Sequence, residues 1–271
     1  MSLNKKVVLG LLFFVIICGI WWFVHCGSKV RLTRSETLVI GTSSGFPPYE
    51  VLDDHGNLVG FDIDVAHVLA KQLNKKLVLK DMSFDALVLA LKQGSIDIAL
   101  AGISITDAKL KEIALVPYQG EAFTYIPLLF WQKIPDGVTT ITDIKKLANK
   151  MVAIQAGTIE EEFLSHYDFL MLKSLENVAD LIMDIKYGKS LAFCVDPAVA
   201  QSLMQQVHEL HMLKVPLKDN EKAHGQGIGI AKTNTTLIAN VKNVVSELKQ
   251  QGIITALENK WFQKGVSHVV S

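Results

Sequence analysis

The chain has 271 residues, 49% of them hydrophobic, enough for two lobes of about 100 residues each or for one large domain. Its 27 basic and 27 acidic side chains cancel, but Lys5, Lys6, Lys29, Arg31 and Arg34 all precede residue 36, where no acid occurs. The remainder therefore holds 22 basic against 27 acidic groups, a net charge of −5. Such a body argues against nucleic acid as a partner.

The amino terminus is set apart. Residues 7–24, VVLGLLFFVIICGIWWFV, follow Lys5 and Lys6 without a charge; at about 1.5 Å per residue a helix of that length spans roughly 27 Å, close to a bilayer core. The segment reads as an export signal or anchor over residues 1–27, followed by a basic tether over 28–35. Three outcomes stay open: a cleaved signal peptide, a lipoprotein acylated at Cys26, or an uncleaved anchor. Cys26–Gly27–Ser28 fits a lipoprotein start, His25 does not, and Trp21–Trp22–Phe23 fits an interfacial belt. With Cys18 and Cys26 in this segment, Cys194 is the one thiol of the body, and no internal disulfide is expected.

In chain order, TLVIGT (Thr37–Thr42) reads as a strand, and the prolines of SSGFPPY fix a rigid path that presents Phe46 and Tyr49. DDHGN between Tyr49–Leu52 and Leu58–Gly60 reads as a hairpin, with Gly56 and Asn57 in left-handed conformations. Asp62 and Asp64 open a helix carrying Val65, Val68, Leu69 and Leu73 on one face, and their carboxylates suit its positive end. A strand at Leu77–Lys80 leads to a helix after Ser83, ended by Gly94. The apolar run Ile96–Ala101 then suits a strand covered on both sides. A tight polar turn leads to a helix capped by Thr106. Gly102, Ile103, Ser104 and Thr106 thus lie beyond a strand's carboxyl end, where open α/β sheets bind ligands, with Lys109 one turn in.

The run Ala122–Trp131 is strand-like, but Pro127 argues for an edge or a crossing between lobes. A helix near Asp143–Ala148, a strand Met151–Gln155, and a helix after Thr158 with Glu160, Glu161 and Glu162 in its first turn repeat the earlier pattern. Ser174 is expected to cap a helix reaching Tyr187. The strand Leu191–Val195 ends at Asp196–Pro197, an N-cap with proline in the first helical position. A strand at about His211–Val215 follows, although His208 and His211 also sit three apart as on an exposed helix. GQGIGIA (Gly225–Ala231) is a glycine-rich return, with the third glycine misplaced for a dinucleotide fingerprint. Two helices, Thr236–Gln251 and Ile253–Phe262, close the chain.

GTSSGFPPYE (Gly41–Glu50), GFDID (Gly60–Asp64), SFDALVLALKQGSIDIALAGISIT (Ser83–Thr106), KEIAL (Lys111–Leu115) and QAGT (Gln155–Thr158) occur in the order and spacing of the polar amino-acid-binding proteins of ABC importers. The chain resembles these family 3 solute receptors over roughly residues 36 to 265, and arginine- and lysine-type members look nearest. The resemblance implies an α/β, two-lobe periplasmic binding protein fold of type 2 hinged on two crossing strands. Lobe 1 would be 36–122 plus 230–271, and lobe 2 would be 123–229. It further implies an extracytoplasmic monomer that delivers a polar, arginine-like amino acid to permease membrane subunits, with no cofactor.

A free amino acid must have its carboxylate and ammonium satisfied, since burying either unpaired costs several kcal/mol. Lys109 matches the family's carboxylate-clamping arginine, keeping the charge but losing the planar fork. Gly102, Ser104 and Thr158 would complete that seat, although Ser104 and Thr158 could equally cap turns. Asp196 matches the acid that takes the ammonium, although Asp-Pro is explained by helix capping alone. Phe46 and Phe84 match the aromatics that sandwich the ligand's stem. Ser43 stands where members taking basic ligands often carry an acid, and Glu50 or Glu121 would have to replace it. The eight histidines show no metal spacing, and no P-loop or nucleophile elbow occurs. Two other classes stay open: an anchored sensor or structural module with weakened binding, and a dehydratase-like enzyme using Glu50, Glu121 or Asp196 as acid or base.

Overall fold

β1 (Thr37–Thr42) lies parallel to β4 (Lys76–Asp81) on one side and to β5 (Ile98–Ala99) on the other. The computed structural model describes residues 36–120, 124–139, 141–218 and 223–263. The apolar segment 7–24, the tether and Glu121 fall outside them, and among the described residues no helix is long and apolar enough to cross a membrane.

The first sheet has the order β4-β1-β5-β12-β6, where β6 (Ala114–Gln119) and β12 (Gln226–Ile230) are antiparallel additions to a parallel core. The helix Phe61–Gln72 buries Val65 and Leu69 against it, as their spacing predicts. The Ile96–Ala101 run is buried except at Asp97, which is half-buried and accepts from Val39 N, because β5 is the sheet's middle strand, though strand pairing covers just Ile98 and Ala99. The hairpin forms between β2 (Val51–Leu52) and β3 (Leu58–Val59). In its turn Asp53 accepts from the backbone N–H of His55 and Asn57, and Gly56, not Asn57, takes the left-handed conformation.

The second sheet has the order β11-β7-β10-β8-β9. Its parallel half is β10 (Ala192–Cys194), β8 (Met151–Gln155) and β9 (Met171–Leu175), and β7 (Tyr125–Trp131) and β11 (Leu210–Pro216) run antiparallel. β7 is therefore interior, against the edge position that Pro127 suggested. Leu217 N donates to Thr124 O, so the ladder's alternation turns the nitrogen of Pro127 away from β11. On its other side β10 pairs just with Leu128–Phe130, so the missing N–H removes no ladder bond.

Other expectations also give way. Ser174 lies in β9, and Asn177 caps the following helix, Val178–Lys186, through its side chain. His211 is in β11, not on a helix. β6 was unread because Pro117 and the short preceding helix, Asp107–Glu112, obscured it. The return comes earlier than a boundary at 230, since β12 already belongs to the first sheet from Gln226.

Candidate functional site

The turn after β5 is strapped to the returning chain. Ile105 N donates to Gly225 O (2.9 Å), Gly227 N to Ile103 O (2.8 Å), and Ser104 forms an antiparallel bridge with Gln226. Directly opposed residues of such a pair share a face, so Ser104 and Gln226 point the same way. On that face Gln226 Nε2 donates to Asp196 Oδ2 at 2.9 Å, joining the first sheet's return strand to a residue at the end of β10 in the second. The other Asp196 oxygen caps its own helix, accepting from Ala198 N at 2.7 Å. The expected cap is thus present, and a carboxylate's four lone pairs leave room for a further donor.

Asp196 is 2% exposed, and its pKa is pushed up to about 7, first by burial and then by the charge of Glu160, against hydrogen bonds from Ala198, Val199 and Gln226. Glu160 is itself buried, which raises its pKa, while Lys109 pulls the other way. Burial lowers the pKa of Lys109, and Glu160 is the largest charge opposing that. One buried carboxylate thus couples electrostatically to both the expected cation and the expected anion. The sequence marks Glu160 as a first-turn helix acid. Its signal was position, because it shares a buried stripe with Phe163 and Leu164, three and four residues on.

Lys109 extends from the helix Asp107–Glu112, where Thr106 caps its backbone N–H, and its Nζ donates to Gly157 O at 3.2 Å on the second lobe. The same Nζ stands 5.8 Å from the Phe84 ring centroid. A cavity of about 390 Å³ is bounded here by Phe84, Lys109, Glu112, Gly157, Thr158 and Glu161, among others. The lobes touch at this point: a Cβ on Gly157 would stand 3.4 Å from Asp85 Cα. The Thr158 hydroxyl caps its helix, accepting from Glu161 N at 3.4 Å and donating to Gln155 O at 2.8 Å.

Three expected residues sit differently. The N–H of Gly102 is donated to Asp62 Oδ2 at 2.8 Å, so it is spent inside the lobe rather than offered to a ligand. Phe46 is 9% exposed, stacked on Tyr49 at 5.6 Å and covered by Gly102. Tyr49 is buried, not presented, and its hydroxyl joins Gln226 and Gln119, each at 3.4 Å. Ser43 lines a separate polar recess of about 200 Å³ with Ser44, Asp81, Ser83, Glu176 and Asn177. Glu50 is fully buried beside Asp62, and burial first and Asp62 second raise its pKa well above the carboxylate range. Enclosed in the core, Glu50 has no path to a ligand's cation. Asp62 receives Tyr118 Oη at 2.5 Å, so its role is to lock the lobe. Asp64 likewise holds Lys260 and Trp261 of the carboxyl-terminal turn, at 2.6 and 2.7 Å.

Two α/β lobes, each with a five-stranded sheet, meeting at small turns around one buried acid and one bridging lysine, define a two-lobed binding protein of the periplasmic type. The sequence profile of the bacterial extracellular solute-binding proteins, family 3, matches residues 38–264, and the chain belongs to that family. It is 32% identical to the probable ABC transporter arginine-binding protein ArtJ of Chlamydia trachomatis serovar D over 251 residues, 92% of this chain and 94% of that one. It is 27% identical over 259 residues to the arginine-binding extracellular protein ArtP of Bacillus subtilis, covering 93% and 97%. Among solved structures, a mutant of ArgBP from T. maritima superposes with a TM-score of 0.75 at 30% identity, covering 84% of this chain and 96% of that one.

Proposed function

We propose that this solute-binding protein captures a basic, arginine-like amino acid between its lobes outside the cytoplasm and hands it to the membrane subunits of an ABC importer. Lys109 would take the ligand's carboxylate with Ser104 and the turn at Gly157–Thr158, Asp196 its ammonium, and Phe84 the stem. The observation that supports this reading is a pair of contacts between the lobes: the first lobe's Lys109 donates to Gly157 O of the second at 3.2 Å, and the second lobe's Asp196 accepts from Gln226 of the first at 2.9 Å. The names of the relatives support arginine as the first ligand to try. The protein would act as a monomer, exported by residues 7–24 and held at the membrane by that segment or by a lipid on Cys26.

The test is calorimetry of the purified body with the twenty protein amino acids and ornithine. A basic member should bind most tightly. Absence of heat from every ligand would overturn the reading. An enzymatic role lacks support in the geometry, because Glu50 is walled into the core and both oxygens of Asp196 are engaged by donors.

A further inference from the structure

The side-chain oxygen of Gln226 is unaccounted for. The residue is fully buried, its Nε2 serves Asp196 and Tyr49, and its Oε1 has no partner among the described residues. A buried acceptor without a donor is disfavoured, and native interiors leave few. The orientation of the amide follows from chemistry rather than from atom labels: an ionised Asp196 can only accept, so the NH₂ must face it and the oxygen must face elsewhere.

We propose that Gln226 is a further ligand-binding residue, whose Oε1 accepts a hydrogen bond from the ligand's ammonium while its Nε2 holds Asp196 in place. This rests on the amino-acid-binding reading above. An ammonium brings three N–H donors and needs acceptors only. Asp196 Oδ2 supplies one and is tied directly to the Gln226 amide. Ser104, opposed to Gln226 and on the same face, can supply another at its hydroxyl oxygen while its proton goes to the ligand's carboxylate. The unpartnered Oε1 completes a set of three, drawn from the turn after β5, from the return strand, and from the second lobe. Nothing in the motif pattern marks this residue, because GQGIGIA reads as a backbone device whose glycines draw attention from the glutamine.

The experiment titrates the tightest-binding amino acid, L-arginine on our reading, and its des-amino counterpart 5-guanidinopentanoate into the wild type, Gln226→Met and Gln226→Leu. Both variants should weaken L-arginine binding at least tenfold and leave the des-amino ligand within twofold, which also shows that they are folded. A loss below twofold for L-arginine, or equal losses for both ligands, overturns the proposal. In an Asp196→Ala background the Gln226→Met loss should persist. Its disappearance would mean that the amide acts only by positioning Asp196, and would equally overturn it. A wild type that binds no amino acid removes the functional reading itself, an outcome distinct from a binding wild type with indifferent variants.

Discussion

Lys109→Ala isolates the carboxylate handle. Lys109 Nζ donates to a neutral acceptor, Gly157 O, at 3.2 Å; a bond of that length contributes about 1 kcal/mol net, whereas one to a carboxylate contributes about 1.5–3 kcal/mol. Binding exchanges the first for the second, so removing the ammonium costs the difference, about 0.5–2 kcal/mol. That corresponds to a dissociation constant raised roughly 2- to 30-fold. Calorimetry with L-arginine and with agmatine, which lacks the carboxylate, separates the possibilities. The variant should lose affinity for the first and little for the second. Equal losses, or a change under twofold for L-arginine, would show that Lys109 does not hold the carboxylate.

Three further outcomes follow from the buried groups. Because Asp196 titrates near 7 and an ammonium ligand needs it ionised, affinity should rise with pH up to about 7 and then level. Glu160→Gln should move that midpoint down, since the charge of Glu160 helps to hold it up, and binding measured from pH 5 to 8 reads both. The ligand-free protein should respond in the opposite sense through Asp62, raised to about 6 from its usual value, first by burial. The folded state favours the protonated acid, so this contribution is complete below about pH 4 and is lost as the pH climbs through 6, on the order of 3 kcal/mol. Thermal melts should show the decline, and Asp62→Asn should flatten it. Gly102→Ala should lower the stability by roughly 1–2 kcal/mol or more, seen as an earlier denaturation midpoint, because φ there is +53° and the new Cβ would lie 2.8 Å from Phe46 Cε1. An unchanged midpoint would mean that the turn relaxes at no cost.

What the sequence made legible depended on local signals. The helix from Phe61 to Gln72, the caps at Thr106, Thr158 and Asp196, and the strands at Thr37–Thr42 and Met151–Gln155 announce themselves through spacing and capping chemistry. β6 does not, since it pairs with a strand more than a hundred residues on, and β9 does not, since the polar residues Lys173 and Ser174 break its apolar pattern. The same limit applied to the site. Lys109 and Asp196 could be singled out by motif, yet that Glu160 couples to both, that Gly102 gives its N–H to Asp62, and that Gln226 meets Asp196 are facts of long-range packing. Pro127 misled because the rule about prolines concerns hydrogen bonds, and here the absent bond had no neighbour to receive it.

The pairing at the two crossings has a practical side. Tyr125 and Pro216 are register partners where β7 begins and β11 ends, and Gln119 and Gln226 are partners where β6 ends and β12 begins. The inner piece, 124–218, therefore starts and finishes at neighbouring points, and the cut ends of the outer piece are neighbours too. A short splice from Gln119 to Gln226 would heal the outer piece after excision, and the inner one could be transplanted into a sister receptor without either having to stretch across a gap.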